Sequence, residues 1–367
     1  MTHSSHFDFV FQDTRPDERA QHEPTDLSTK RTPLTLLHRS SNYAIVGATG
    51  LVGQELLKLL TKDGQNNIRL AASEASLGQS YLLNGRQWVV ERLSADFFKD
   101  VAVAFFCASK YVSLEWVPIA LECGCTCIDN SSAYRHAPSV PLVIPEINGH
   151  LLRDQPQLIA NPNCSTLITL MALYPLHKAF GLKRFWASTY QAVSGAGRLG
   201  LQELDDQVQA AASGHSPLPH QAFSAPIAFN AIPSIGDFCH SGYTTEEEKM
   251  LHESRKILGL STLRVSTTCV RIPIRRAHSI AISAEFEQLI DLDVAKEALR
   301  AAPGIEVLDL PKVPTPLAFS SRTKCGVGRL RIDSALENGL SLWVSGDQLL
   351  KGAAFNAFQL SQKMGPK

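Results

Sequence analysis

The chain has 367 residues, of which 44% are hydrophobic and 19% are charged, and its 35 basic residues balance its 35 acidic residues. This length favours two domains, and a formal charge of zero gives no indication of a nucleic-acid or anionic-membrane partner. No apolar run approaches the roughly 20 residues that cross a membrane, no stretch is typical of a secretory signal, and eight cysteines are too sparse for a disulfide scaffold. We therefore expect a cytoplasmic protein.

The N-terminal segment, residues 1–42, is polar, contains four histidines and scattered prolines, and has no sustained hydrophobic period. This composition predicts a disordered arm. Its six acidic residues disfavour a transit peptide, which is normally poor in acids.

A short apolar strand, Tyr43 to Val46, then leads through the loop "GATGLVG" into a helical stretch with leucines on one face. In this loop Gly47 permits a tight turn, Gly50 lets the backbone approach a pyrophosphate, and Gly53 allows the helix to pack closely on the strand. The N–H groups at the start of the helix would face the phosphates. The loop predicts a nucleotide-binding site, although glycine turns also join strands to helices without a ligand.

Further strands are predicted at "IRLAAS", "WVVERL", "VAVAFFCA" and "CTCIDN", with helices between them. This alternation predicts a parallel sheet of Rossmann type. Cys123, Cys125 and Cys127 have the spacing of one strand face, and because no second Cys/His cluster has zinc spacing, we expect no metal site.

After Cys164 the pattern changes. Strand-like "FWASTYQAVSGAG", "STTCVRIPI" and "HSIAISAEF" are separated by helices and long loops, which predicts a mixed sheet with helices on one face. "SGDQLLKGAAFNAFQLSQKM" predicts an apolar C-terminal helix. We therefore predict a Rossmann domain over 43–162 with 346–367, and a second domain of the α+β type over 163–345.

Three polar features are ambiguous when each is taken alone. Cys164 in "NPNCSTLITL" stands before a helix, where a cysteine is either a buried small hydrophobe or a nucleophile. In "TTEEEKMLHESRKIL" the spacing predicts a capping box from Thr245 to Glu248, and the neighbouring Glu246 and Lys249 form either a solvated ion pair or part of a site. His278 and Arg271 would each be ordinary structural residues without further support.

Nine motifs resolve this ambiguity because they coincide with one family. In chain order they are "GATGLVG", "IDNSSAYR", "PLVIPEIN", "NPNCST", "TYQAVSGAG", "AFNAIP", "TTEEEKM", "CVRIPIRRAHS" and "DQLLKGAA". Over about residues 43–365 the chain resembles aspartate-semialdehyde dehydrogenase. The resemblance implies the reversible conversion of aspartate β-semialdehyde, phosphate and NADP into β-aspartyl phosphate and NADPH, which serves lysine, threonine, methionine and diaminopimelate synthesis. It also implies that the second domain, residues 163–345, is the catalytic and dimerisation domain of a homodimer or a dimer of dimers.

The resemblance implies a role for each matching residue. Cys164 is similar to the nucleophile that forms a thioester, His278 to the acid/base, and Gln191 to the residue that orients the reacting groups. Glu246 and Arg271 match the pair that holds the substrate ends, and Arg135, Asn163 and Lys249 match the phosphate-binding positions. The implied cofactor contacts are Gly47, Thr49, Gly50, Leu51, Val52, Gly53, Ser73, Ser76, Ser194, Gly195 and Gln348.

Departures from the family pattern lie on the cofactor side. Where the family commonly has S-x-R-S, with an arginine for the 2′-phosphate, this chain has "SEAS", which places Glu74 and Ala75 there. "CASKY" replaces a small loop and introduces Lys110, and Gln348 replaces a short amide. We expect NADP to be used with weak discrimination against NAD, with Lys110 as the first candidate for another phosphate-binding residue.

Two alternatives remain open at this stage. The first is an N-acetylglutamyl-phosphate reductase, which runs the same chemistry on a substrate one methylene longer with a blocked amine. "NPNCST" and Glu246, a carboxylate suited to a free ammonium, disfavour it. The second is a catalytically silent dimeric homologue, which the retention of Cys164 and His278 disfavours.

Overall fold

The structure, a computed structural model, describes residues 42–216 and 218–364. Apart from Asn42, the predicted N-terminal arm lies outside the described residues. The chain forms two sheets, one almost entirely parallel and one mixed, which confirms the predicted fold class. The exact boundary between the two predicted domains remains a prediction. Within the described ranges, no helix has both the length and the apolar character that crossing a membrane requires.

The first sheet has seven strands in the order β3-β4-β2-β1-β5-β6-β7. All neighbours are parallel except β3 and β4, which form an antiparallel hairpin at the edge. The strands are β1 Tyr43–Val46, β2 Ile68–Ala71, β3 Ser80–Leu83, β4 Arg86–Glu91, β5 Val103–Phe106, β6 Thr126–Asp129 and β7 Leu158–Ala160. The helices of this half are α1 Leu51–Lys62, α2 Lys110–Glu122 and α3 Pro145–Asn148, with 3₁₀ turns at Glu74–Ser76, Ala95–Phe98 and Gly149–Leu152.

The loop between β1 and α1 has the backbone that its glycines predict. Gly47 has φ of +84°, and a Cβ atom there would lie 2.5 Å from the carbonyl oxygen of Cys107. A Cβ atom on Gly53 would lie 2.4 Å from the carbonyl oxygen of Gly47. The predicted tight turn and close helix–strand packing are therefore confirmed, because any larger side chain at either position would collide with backbone.

The second sheet has six strands in the order β11-β12-β13-β10-β8-β9 and is mixed as predicted, since β8–β9 and β11–β12 are parallel and the other pairs are antiparallel. The strands are β8 Leu182–Gln191, β9 Arg264–Arg271, β10 His278–Phe286, β11 Ile305–Leu308, β12 Cys325–Ile332 and β13 Gly339–Gly346. The helices are α4 Cys164–Phe180, α5 Gly197–Ala212, α6 Thr245–Leu258, α7 Leu292–Ala301 and α8 Pro316–Phe319, with a 3₁₀ turn at Val193–Ala196.

Helix α4 is the central element of this half. Its apolar side chains and those of β10, such as Leu170 and Ile280, lie in one hydrophobic core. On the opposite face of the sheet, Trp186, Ser188 and Thr268 are exposed in the single chain. Helices therefore cover one face, as predicted, and the other face is open.

One local prediction is refined and another was wrong. The C-terminal segment is helical as predicted, but it begins as a π-helical turn, Leu350–Ala354, before α9 Phe355–Met364. Cys123, Cys125 and Cys127 do not share a strand. Cys123 ends α2, Gly124 turns the chain with φ of +82°, and only Cys127 lies in β6.

Candidate active site

Cys164 is the first residue of α4, as the sequence predicts. Asn163 caps the helix, because its Oδ1 accepts hydrogen bonds from the N–H groups of Ser165 at 2.9 Å and Thr166 at 3.2 Å. Gly352, in the π-helical turn, packs directly on the cysteine, and a Cβ atom there would lie 2.9 Å from the Cβ of Cys164. The thiol is thus held between the start of one helix and the turn that precedes another.

The electrostatic surroundings of this thiol differ from the expectation for a helix N-terminus. Burial raises the pKa of Cys164 to about 11, and the negative charge of Glu246 adds to this rise, while Arg135 and Arg271 oppose it. An unperturbed thiol is about 3% ionised at pH 7. With its pKa at about 11, the Cys164 thiol of the free protein is neutral at pH 7.

Glu246, in the first turn of α6, joins several of the predicted site residues. Its Oε1 accepts hydrogen bonds from the side-chain amides of Asn163 at 2.9 Å and Gln191 at 3.4 Å, and its Oε2 accepts one from Lys249 Nζ at 2.9 Å. Burial would raise the pKa of this carboxyl, but Lys249, the Asn163 amide and Arg271 together hold it at about 2. An ionised carboxylate therefore lies beside the residue that precedes Cys164.

The cap of α6 lies one residue earlier than predicted. Thr244 is the N-cap, and the capping box joins it to Glu247, whose Oε2 accepts from the Thr244 N–H at 2.7 Å. "TTEEE" fits a capping box in two registers, and the tertiary structure selects this one because Glu247 Oε1 also accepts from the N–H of Cys269 in β9 at 2.8 Å. Glu246 and Lys249 still share a face of the first turn, as predicted. Because Glu246 is buried and bonded to Asn163 and Gln191, the contacts favour a pair that is part of a site over a solvated ion pair.

A second buried acid, Glu253, was missed by the sequence analysis. One of its oxygens lies 3.1 Å from Arg135 NH1, and the other accepts a hydrogen bond from the Asn163 N–H at 2.7 Å. Arg135 also donates to the carbonyl oxygen of Asn130, whereas its Nε is buried without a partner among the described residues. Glu246, Lys249 and Glu253 follow helical spacing of three and then four residues, which is the signal that could have found Glu253.

Arg271 ends β9 and is close enough to Glu246 for the two charges to interact. Its NH1 donates to the carbonyl oxygen of Ala192 at 2.7 Å, and its guanidinium stands 5.8 Å over the ring of Phe223. A Cβ atom on Gly195 would lie 2.6 Å from Arg271 NH1 and 3.4 Å from His278 Cε1. The absence of a side chain at Gly195 thus allows the arginine and the histidine to lie next to each other.

His278 begins β10 and is fully buried. Its Nδ1 accepts a hydrogen bond from the Ala192 N–H at 3.0 Å, and its Nε2 has no partner among the described residues. Burial, reinforced by the charge of Arg271, lowers the pKa of His278 to about 3. Because Nδ1 accepts, the neutral ring carries its proton on Nε2, which leaves His278 with a buried hydrogen-bond donor that has no partner among the described residues.

The predicted cofactor residues fall into two groups. Gly47, Thr49 and Gly50 lie in the β1–α1 loop, Leu51, Val52 and Gly53 form the first turn of α1, and Ser73 and Ser76 lie in the loop after β2, at the same edge of the sheet. Ser194, Gly195 and Gln348 lie in the other half of the chain. Gln348 uses both ends of its amide within the protein, since Oε1 accepts from the Ala277 N–H at 2.8 Å and Nε2 donates to Ser194 Oγ.

Two family models match most of the chain. The model described as "Semialdehyde dehydrogenase, NAD binding domain" matches residues 42–155, and "Semialdehyde dehydrogenase, dimerisation domain" matches residues 173–351. The chain is 44% identical to the aspartate-semialdehyde dehydrogenase of Aquifex aeolicus over 87% of this chain and 96% of the relative. It is 40% identical to that of Bacillus subtilis, over 89% and 98% of the two chains.

Solved structures give the same result. The crystal structure of aspartate semialdehyde dehydrogenase II from Vibrio cholerae complexed with ASA has a TM-score of 0.86 and 38% identity, over 88% of this chain and 98% of that one. The probable aspartate-semialdehyde dehydrogenase of Pseudomonas aeruginosa has a TM-score of 0.82 and 29% identity, over 88% and 97%. With an NAD-binding and a dimerisation domain matched along its length, the chain belongs to the aspartate-semialdehyde dehydrogenase family of oxidoreductases.

Proposed function

We propose that this protein reduces β-aspartyl phosphate to L-aspartate β-semialdehyde with NADP as cofactor, through a thioester on Cys164. The observation that carries the proposal is the 2.9 Å hydrogen bond between Asn163 and Glu246, which fixes an ionised carboxylate beside the nucleophile-bearing end of α4. Because Arg271 also interacts with that carboxylate, the site offers one anion for an α-ammonium and one guanidinium for an α-carboxylate.

In the acyl step the Cys164 sulfur attacks the carbonyl carbon, the C–S bond forms and the C–O bond to phosphate breaks. The thiol proton leaves with the phosphate, so the charges balance without an ionised thiol in the free protein. Arg135, Asn163 and Lys249 are the proposed phosphate-binding residues. The buried, unpartnered Nε of Arg135 supports this role, because such a donor requires a hydrogen-bond acceptor.

When bound, nicotinamide supplies the hydride for the reduction or accepts it in the reverse direction. His278 is the proposed acid/base: its Nε2–H donates a hydrogen bond to negative charge on the substrate oxygen, and the Cys164 thiolate released when the C–S bond breaks takes up its proton from solvent. Gln191, bonded to Glu246, positions the reacting groups.

The β1–α1 loop fits a dinucleotide. Gly50 is the N-cap of α1, provides no capping side chain, and the first turn carries no acidic residue. The N–H groups of that turn are therefore available to a pyrophosphate. We propose NADP as the cofactor, with NAD as a possible substitute, because the loop after β2 lacks the family's arginine.

The biological role that we propose is the supply of the semialdehyde for lysine, threonine, methionine and diaminopimelate synthesis. We also propose a homodimer, or a dimer of dimers, formed through the second half of the chain. The exposed sheet face around Trp186 supports such an interface, because a single chain leaves it uncovered.

The test is an assay of the purified protein for phosphate-dependent NADP reduction by L-aspartate β-semialdehyde, with N-acetylglutamate semialdehyde alongside. We expect activity with the first aldehyde only, since Glu246 is ionised and suited to a free ammonium. Preference for N-acetylglutamate semialdehyde would instead support an N-acetylglutamyl-phosphate reductase. Inactivity with both would support a catalytically silent homologue.

A further inference from the structure

The edge of the first sheet where its parallel strands end brings three segments together. The glycine loop follows β1, Glu74 and its neighbours follow β2, and Arg92 follows β4. The carbonyl oxygen of Ala71, the last residue of β2, accepts from the N–H of Gly47 at 2.8 Å and of Ala48 at 3.0 Å. The loop after β2 therefore begins against the glycine loop, where the adenosine ribose of a dinucleotide lies in this fold.

Arg92 reaches this loop from the neighbouring strand. Ala71 pairs with Glu91 across β2 and β4, so Arg92 lies opposite the first residue of the loop. Its NH2 is 3.3 Å from Glu74 Oε2, and the two side chains are 67% and 70% exposed. An exposed pair of this kind contributes only about 0–1 kcal/mol to stability, so a doubly charged ligand can exchange for the carboxylate.

Glu91, the acid next to Arg92 in the chain, does not neutralise the charge of Arg92. Glu91 is bound by Arg69, whose Nε donates to both of its carboxylate oxygens at 3.2 Å and whose NH2 makes a further contact. Glu74 is thus the acid that faces Arg92. The guanidinium remains available to whatever anion enters the loop after β2.

Lys110, the first candidate from the sequence, is worse placed. It begins α2 after β5, and β5 lies on the far side of β1 from β2. Because neighbouring strands are about 4.8 Å apart, β5 is about 10 Å from β2, whereas β4 is directly beside it. The ammonium of Lys110 also stands over the ring of Tyr111 at 5.1 Å.

We propose that Arg92 determines cofactor preference by pairing with the 2′-phosphate of NADP, and that Glu74 is the anion it releases. With NAD bound, the carboxylate of Glu74 instead accepts hydrogen bonds from the ribose hydroxyls. The pair accommodates both cofactors and favours NADP. This inference rests on the proposed function, because it requires a nicotinamide dinucleotide in the first sheet.

The experiment is isothermal titration of NADP and of NAD into the full-length protein and into Arg92→Gln, at fixed ionic strength. We expect the NADP Kd to rise about ten- to a hundredfold, the range of a charge-assisted bond to phosphate, and the NAD Kd to change less than about twofold. Glu74→Gln should have the opposite effect and tighten NADP while weakening NAD. Arg92→Lys, which keeps the charge, should lose less NADP affinity than Arg92→Gln.

Arg300→Gln is the matched control, because Arg300 is an exposed arginine paired with Asp309 at 2.6 Å in the second half of the chain. It should leave both affinities unchanged. The role of Arg92 is overturned if Arg92→Gln leaves the ratio of NADP to NAD affinity unaltered, or if Lys110→Gln lowers that ratio as much as Arg92→Gln does. Either result leaves the proposed function in place. A wild-type protein that binds neither cofactor overturns both.

Discussion

The side-chain oxygen of Gln348 accepts a hydrogen bond from the N–H of Ala277 at 2.8 Å, immediately before His278. Ala277 is buried and has φ of +69°, a left-handed conformation that costs a residue with a Cβ atom about 1–2 kcal/mol. This bond therefore helps to hold an unfavourable turn that sets the direction of the imidazole.

We predict that Gln348→Ala lowers kcat about tenfold or more while the KM for the semialdehyde changes little. Loss of the bond lets the turn before His278 relax, and an acid that is misplaced by an ångström loses much of its effect. Steady-state kinetics will test this, with the far-ultraviolet circular dichroism of the variant as the check on folding. A folded variant with wild-type kcat would contradict the positioning role of Gln348.

Cys164→Ser should abolish turnover and leave the fold intact, because a hydroxyl is far less readily ionised than a thiol and is a poor nucleophile without strong activation. The two side chains are similar in size, so the contact with Gly352 is preserved. Turnover and thermal unfolding should be measured on the same preparation. Near-normal activity in the folded serine variant would exclude the thioester mechanism.

The pKa of about 11 for Cys164 predicts how its alkylation depends on pH. A thiol reacts with iodoacetamide only as the thiolate, so below this pKa the rate should rise about tenfold for each pH unit from pH 7 to 10. Glu246→Gln should lower the pKa of the thiol, because it removes a negative charge that raises it, and should therefore speed alkylation at pH 8.

Peptide-level mass spectrometry will separate Cys164 from the exposed Cys123, which serves as an internal control. A rate for Cys164 that levels off near pH 7 would show that the free protein already holds a thiolate.

Arg271→Lys should cause a large loss in kcat/KM for the semialdehyde, because the ammonium keeps the charge but loses the bidentate guanidinium and its position over Phe223. Lys249→Ala should act mainly on the KM for phosphate. The two effects are measured by varying each substrate in turn at saturating cofactor. Equal effects of both variants on both substrates would show that carboxylate and phosphate do not occupy separate subsites.

Ala75→Arg should raise the ratio of kcat/KM for NADP to that for NAD by roughly ten- to a hundredfold, since it returns a guanidinium to the loop after β2. Ala75 is exposed in the turn Glu74–Ser76, so the longer side chain displaces nothing. The ratio is measured in both proteins at fixed salt. A wild-type ratio above about a thousand that does not change with the arginine would show that another group already binds the phosphate with full effect.

The sequence by itself determined the elements that depend on local chemistry. The β1–α1 loop, Tyr43–Val46 as a strand, Cys164 at a helix start, and the two kinds of sheet follow from glycine spacing and hydrophobic periodicity. The sequence also contained enough information to predict the hairpin β3–β4. Asn84 and Gly85 form an Asn-Gly pair, which strongly indicates a hairpin turn, and both have positive φ in the structure. The family resemblance added the roles of Cys164 and His278, which no local pattern supplies.

Only the tertiary structure decided the partners of the polar groups. Glu253 meets Arg135, 118 residues away, and Gln348 meets Ala277, 71 residues away. Helical spacing places Glu253 on the face of Glu246 and Lys249, but no local pattern identifies Arg135 or Ala277 as a partner, because these contacts arise where separate elements pack together. The same holds for the pKa of Cys164, which burial and the charge of Glu246 raise, and for Arg92, which reaches Glu74 because β4 lies beside β2. A local pattern specifies which groups a segment presents, and the fold specifies which charges surround them.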